Sequence, residues 1–148
     1  MSTRSNTLVI NPDGTIQQYY VHCDGYFSGV GEHIRKNIVY SIGLSSLNKN
    51  YSVYDDFSTI MKIESYDPET DKDCGQFFEK EYLLNKEDNN RIHIDIEYLY
   101  IVDFSDENYP KLYARKCYGR YNKQQTVSEI INDVCTEEFY VNLEKQLR

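Results

Sequence analysis

Residues Tyr98 to Val102 read Tyr-Leu-Tyr-Ile-Val, an unbroken apolar run, and just before it Ile92, Ile94 and Ile96 alternate with His93, Asp95 and Glu97. Alternation is the pattern of a strand with one wet face, whereas a continuous apolar run suits a strand covered by its neighbours. The stretch predicts an inner strand, and the rest of the chain has to be arranged around it.

Upstream, Leu8–Val9–Ile10 and Ile16 to His22 flank Asn11–Pro12–Asp13–Gly14. Proline presets a turn φ and glycine accepts a positive one, so these residues predict a β-hairpin. From Ser28 to Ile42, Val30, Ile34, Ile38 and Ile42 recur every four residues, the stripe of an amphipathic helix, with Gly43 as its expected stop. Val53, Phe57, Ile60 and Met61 suggest a short second helix, Tyr66 to Gly75 a polar loop, Leu112 to Tyr118 a further strand, and Thr126 to Leu147 a last helix. No internal repeat or linker interrupts the 148 residues. The expectation is one α+β domain over residues 1–148, an antiparallel sheet with helices packed on one side.

Tyrosine dominates the aromatic content, 15 copies against six phenylalanines and no tryptophan. A phenol needs water or a partner for its hydroxyl, so tyrosines are expected at the edge of the core or at an interface. No stretch reaches the length of a membrane span, and Met1 to Asn6 lacks the apolar core of a signal peptide, so a cytoplasmic protein is expected. Cys23, Cys74, Cys117 and Cys135 are widely spaced, which in a reducing compartment reads as four free thiols.

The net charge is −8, and it is concentrated. Between Asp55 and Glu107 there are 16 acids and five bases, a local balance of −11. Such a block repels a phosphate backbone, which argues against direct nucleic-acid binding, but it suits the basic face of a nucleic-acid-binding protein. Asp55, Asp56, Asp67, Glu69, Asp71 and Asp73 are the candidate interface residues, the simpler alternative being a solvated surface. Glu69, Asp71 and Asp73 alternate like a calcium loop, but no register supplies both the required glycine and the terminal glutamate, so no metal is expected. Tyr113, Tyr118 and Tyr121 interleave with Lys111, Arg115, Lys116 and Arg120 as in a single-strand binder, although a strand with one wet face explains them more simply.

One segment concentrates chemistry: His22–Cys23–Asp24–Gly25–Tyr26–Phe27–Ser28–Gly29–Val30–Gly31. Together with the start Met1–Ser2–Thr3–Arg4–Ser5, the run Gly43 to Leu47 and the strand Glu97 to Ile101, it resembles a family of small, largely uncharacterised proteins of phages, prophages and bacteria. Those proteins begin M-[S/G/A]-T-R and carry H-W-D-G-Y-P-x-G-V-G. Here Cys23 replaces the usual Trp and Phe27 the usual Pro, and a later R-D-R-G-E-like element is reduced to Lys72–Asp73–Cys74–Gly75–Gln76. The resemblance implies a phage-linked origin and no particular activity.

Gly29 and Gly31 stand where a helix begins, and free N–H groups with the helix dipole favour an anion there. A small phosphate or nucleotide site is therefore one reading, with Arg4, His22, Asp24, Gly25, Tyr26, Gly29 and Gly31 as its residues. The spacing is neither G-x-G-x-x-G nor a P-loop, and a tight strand-to-helix turn accounts for the glycines as well. His22 and Cys23 are neighbours on a strand and point to opposite faces, so a nucleophile and base do not converge unless His33 or His93 supplies the second group. Asp24 is expected to cap Gly25 and its neighbours through its carboxylate. No catalytic set and no cofactor motif emerges, and hydrolase or transferase chemistry is the least favoured class. The leading expectation is a phage- or prophage-type accessory protein that binds and inhibits a host protein, such as a CRISPR-type defence nuclease, through its acidic, tyrosine-rich surface.

Overall fold

A computed structural model describes residues 3–71, 75–89, 91 and 95–135. These form one α+β domain around a six-stranded mixed sheet, mostly antiparallel. The hairpin is present as β1 (Ser5–Ile10) and β2 (Ile16–Val21), and Gly14 takes φ of 89° in its turn. A single π-helical turn, Phe27–Gly31, leads into α1 (Glu32–Leu47), followed by α2 (Val53–Ile63), the two-residue β3 (Ser65–Tyr66) and β4 (Phe78–Leu84). The chain then forms β5 (Tyr98–Asp103), β6 (Lys111–Lys116) and α3 (Val127–Val134). The strand order is β3-β4-β2-β1-β5-β6, so β5 is the inner strand its composition predicted.

The reason for its unbroken apolar run is burial on both faces. Val9, Tyr98, Tyr100 and Val102 belong to a core shared with Ile34, Ile38, Phe57 and Met61 of α1 and α2. Leu8, Ile10, Leu99 and Ile101 belong to a second core with Val127, Ile130, Ile131 and Val134 of α3. The expected placing of all helices on one side is therefore corrected: α1 and α2 cover one face and α3 the other. The sheet is mixed because β5 runs parallel to β1 and β3 parallel to β4.

Helix α1 also departs from its expected limits. A four-residue step overshoots a full helical turn by about 40°, so the isoleucine stripe drifts around the cylinder. Val30, Ile34 and Ile38 are buried, but Ile42 is 38% exposed. Ser41, three residues after Ile38, is buried in its place and its Oγ donates to the Asn37 carbonyl at 2.8 Å. Gly43 is not a stop: the helix runs through it to Leu47 and ends at Asn48, whose backbone is extended.

Reciprocal caps fix the starts of the other helices. Ser52 Oγ accepts from the Asp55 N–H while the Asp55 carboxylate accepts from the Ser52 N–H, and Thr126 and Glu129 repeat the arrangement at α3. Asp133 anchors α3 to the sheet, accepting from Arg115 Nη1 at 2.5 Å, Arg120 Nε at 3.0 Å and the Tyr121 hydroxyl at 2.7 Å. The Tyr121 hydrogen bond, followed by the two arginines, holds that carboxyl below its ordinary range. Residues 136–148 of the expected last helix, and Ile92, His93 and Ile94 before β5, lie outside the described residues.

Gly43 has no atom within 4 Å of the position a Cβ would occupy. Gly43→Ala should therefore raise unfolding free energy by about 0.5–1 kcal/mol, measured by chemical denaturation. A loss of stability would show that this glycine ends the helix after all.

Candidate functional site

The His22–Gly31 segment leaves β2 at its end and wraps beneath the first turn of α1. Asp24 has φ of 59°, in the left-handed region that aspartate tolerates better than most residues. Gly25 and Gly29 have no positive φ; of the two reasons a tight turn has for glycine, theirs is close approach. A Cβ on Gly29 would lie 2.1 Å from the Asp24 carbonyl oxygen, and one on Gly25 would lie 2.7 Å from the Thr3 carbonyl oxygen. At Gly31 the limiting neighbour is the Tyr100 ring, 3.0 Å away.

These approaches bring the backbone into hydrogen bonds. The N–H of Gly25 donates to Thr3 O at 2.8 Å, that of Val30 to Asp24 O at 2.9 Å, and those of Gly29 and Gly31 to Tyr26 O at 2.9 and 3.4 Å. The donors of Gly29 and Gly31 that a phosphate would use are spent inside the turn. The Tyr100 hydroxyl, fully buried, donates to Gly25 O at 2.6 Å, and desolvation drives its pKa well above the ordinary tyrosine value. Phe27 packs edge-on to Tyr98, with centroids 4.9 Å apart, closing the aromatic layer under the turn.

The side chains of the segment do not converge on a reaction centre. The Asp24 carboxylate accepts from the Tyr26 hydroxyl at 2.9 Å, so it caps that phenol rather than Gly25, and this bond raises the Tyr26 pKa. His22 Nδ1 is 3.2 Å from the Tyr20 hydroxyl. His33 is held elsewhere, with Nε2 2.8 Å from Glu64 Oε2 and its ring against Phe77, and His93 lies outside the described residues. Cys23 is exposed and forms no disulfide; Cys117 and Cys135 are thiols outside any disulfide, whose pKa values burial pushes up to about 11. Cys74 lies outside the described residues.

The main chain of Arg4 adjoins Gly25, but its guanidinium turns away to Asp95 at 2.6 Å and Glu97 at 2.9 Å. Its own N–H also donates to Glu97 Oε2 at 2.6 Å, and the Arg4 hydrogen bond keeps the Glu97 carboxyl below its usual range. An anion approaching the glycine turn therefore meets neither free Gly29 and Gly31 amides nor an uncommitted Arg4. A separate cavity of about 160 Å³ lies where α2 crosses the hairpin, lined by Asn11, Gln17, Tyr19, Tyr54 and Ser58 among others. No charged side chain lines it, so it does not suit phosphate. Desolvation pushes the Tyr19 phenol there up to about 12.

The acidic candidates separate into two groups. Asp55 caps α2, and Asp56 accepts from Ser45 Oγ at 2.8 Å, tying α2 to α1. Asp67, Glu69 and Asp71 form the tight loop after β3, in which Asp67 Oδ1 accepts from the Glu69 N–H at 2.9 Å and Asp67 O from the Asp71 N–H at 2.7 Å. Asp73 lies outside the described residues. Asp67, Pro68 and Glu69 face Lys80, Glu81 and Tyr82 of β4 across a groove of about 150 Å³. This groove was not legible in the sequence, because β4 carried no strand pattern that set it apart from a loop. Of the tyrosines and bases near β6, Tyr113 and Tyr121 are buried and Arg115 and Arg120 bind Asp133, while Tyr118, Lys111 and Lys116 are exposed, the Lys116 ammonium lying 5.8 Å from the Tyr118 ring centre.

Among the described residues no three His, Cys, Asp or Glu side chains gather as metal ligands, and no helix is long and apolar enough to cross a membrane. No family model, no curated protein and no solved structure matches the chain.

If the segment is a packed turn, Gly29→Ala should cost about 3 kcal/mol through overpacking. Tyr100→Phe should cost about 1–2 kcal/mol by leaving the Gly25 carbonyl buried without its donor. Denaturant titration of both variants checks this, and wild-type stability of Gly29→Ala would contradict it.

Proposed function

We propose that the chain is a phage- or prophage-type accessory protein that binds a basic, nucleic-acid-binding host protein and inhibits it, a defence nuclease such as a CRISPR effector being the partner that best fits. The observation that carries this reading is uncompensated negative charge on a fixed surface. Asp55, Asp56, Asp67 and Glu69 make no ion pair with a described cation, and the Asp67–Asp71 loop is braced by its own hydrogen bonds. Exposed carboxylates held in place present charge much as a phosphate backbone does, so they compete for the face that would hold nucleic acid. Exposed tyrosines accompany them, Tyr82 beside the groove and Tyr51 and Tyr109 elsewhere, a residue type that interfaces favour. The resemblance of residues 22–31 to the phage and bacterial motif supports the same origin, with the cytoplasm of a bacterial cell as the working compartment.

The alternative, a phosphate or nucleotide at the glycine turn, has lost its donors: the amides of Gly29 and Gly31 and the guanidinium of Arg4 are engaged within the chain. Inhibition on the favoured reading is occupancy, without catalysis, cofactor or metal. Association driven by opposite charge is steered and strongly screened by salt.

Immobilised protein exposed to bacterial lysate at low salt should retain a basic partner in stoichiometric amount. That partner should be released by high salt and displaced by duplex DNA. Recovery of no stoichiometric partner, or of one indifferent to both salt and DNA, would contradict the proposal.

A further inference from the structure

We infer that the cavity of about 160 Å³ between α2 and the β1–β2 hairpin binds a small neutral molecule, a single uncharged six-membered ring that carries at least one O–H or N–H group, of the size of a phenol or a pyrimidine base. None of the lining residues belongs to the acidic loop Asp67–Asp71, so the site goes beyond the function proposed above and does not depend on it.

Size and walls come from two elements. Helix α2 faces the hairpin with Tyr54, Phe57, Ser58 and Met61, spaced as one helical stripe. On the hairpin side Val9 and Gln17 are directly paired and share a sheet face with Tyr19, two residues further on. A cavity of about 150 Å³ holds one benzene ring, so this one takes a single six-membered ring. Aromatic and thioether walls suit such a ring. They are also fixed: Tyr19 packs edge-on to Phe78 with centroids 5.7 Å apart, and Tyr54 and Phe57 lie 5.2 and 5.1 Å from the Phe104 ring. Walls held by their own neighbours stand in place before a ligand arrives, which lowers the ordering cost of binding.

Polar groups select the occupant. No carboxylate, ammonium, guanidinium or imidazole lines the cavity, so an ion would lose its water there without gaining a counter-charge. Asn11 and Tyr54 satisfy one another, the Tyr54 hydroxyl donating to Asn11 Oδ1 at 2.7 Å while Asn11 Nδ2 donates to Thr15 Oγ1 at 3.0 Å. Gln17 is half committed. Its Nε2 donates to the Glu81 and Gln18 carbonyls at 2.8 and 3.1 Å, which fixes the amide and leaves Oε1 without a donor among the described residues. The Tyr19 and Ser58 hydroxyls have no hydrogen-bond partner among the described residues either. Desolvation pushes the Tyr19 phenol up to about 12, so it stays neutral and able to donate. One fixed acceptor and two hydroxyls around the same aromatic-walled space form the arrangement of a small-molecule site. The acceptor calls for a ligand O–H or N–H, which a bare hydrocarbon lacks.

The test titrates the full chain with phenol, uracil, benzene and benzoate and follows its backbone amide shifts by NMR. Phenol or uracil should give saturable shifts confined to residues 9–19 and α2, and the tighter of the two identifies the ring. Benzene should bind more weakly for want of a donor, and benzoate not at all. Tyr19→Phe removes a hydroxyl that bonds nothing among the described residues, so the melting temperature should hold while affinity for the preferred ring falls about fivefold. Ser58→Leu fills the space with a good helix former and should abolish binding in a folded chain. Absence of saturable shifts, shifts elsewhere, benzoate bound as well as phenol, or undiminished binding to folded Ser58→Leu would overturn the inference. Should Ser58→Leu fail to fold, the Tyr19→Phe comparison and the benzoate control still decide.

Discussion

The buried hydroxyl of Tyr100 donates to the carbonyl of Gly25, and through that bond the inner strand holds the turn that launches α1. A phenol at zero exposure has to find an acceptor, and the only geometry that delivers one brings residues 25–31 down onto the ring. Gly31 is then in contact with the Tyr100 ring, while Gly29 lies against Asp24 and Gly25 against Thr3, both too close to backbone for a side chain. The same descent places Val30, Ile34 and Ile38 over β1 and β5 and fixes the line along which α2 must pack. Removing the acceptor or lengthening any of the glycines disturbs the whole of one core.

That dependence recasts the most suggestive stretch of the sequence. His22, Cys23 and Asp24 stand side by side, yet each has a separate environment: His22 beside Tyr20, Cys23 exposed, Asp24 bound to Tyr26. Chemistry at a turn needs side chains that converge and backbone donors left over. Here the side chains diverge and the donors of Gly25, Gly29, Val30 and Gly31 are consumed by Thr3, Tyr26 and Asp24. The acidic loop differs in kind: Asp67 and Glu69 are fixed by the loop's own hydrogen bonds and make no ion pair with a described cation.

Local signals were legible where local chemistry decides structure. The Asn11–Gly14 turn, the periodic face of α1 and the inner position of β5 follow from residue type and spacing. What the sequence did not disclose depends on which faces are covered. Asn6 and Gln18 are buried with side-chain amides that have no partner among the described residues, and nothing in their sequence neighbourhood announces that burial. Asp55 and Asp56 read as surface charge and, besides carrying it, serve as a cap and a helix tie, since Ser52 and Ser45 reach them only in the folded arrangement. Gly43 had the composition of a helix stop, but nothing requires a left-handed residue there and the helix continues.

The central claim is that residues 22–31 are scaffold, and the proposal that follows from it places recognition on the acidic surface. The most direct measurement is the melting temperature and partner retention of the double variant His22→Ala/Cys23→Ser beside the unaltered chain. Both should be nearly unchanged, because both side chains are exposed and neither belongs to the acidic loop Asp67–Asp71. An unchanged melting temperature with lost retention would contradict the account and make the segment a binding or active site.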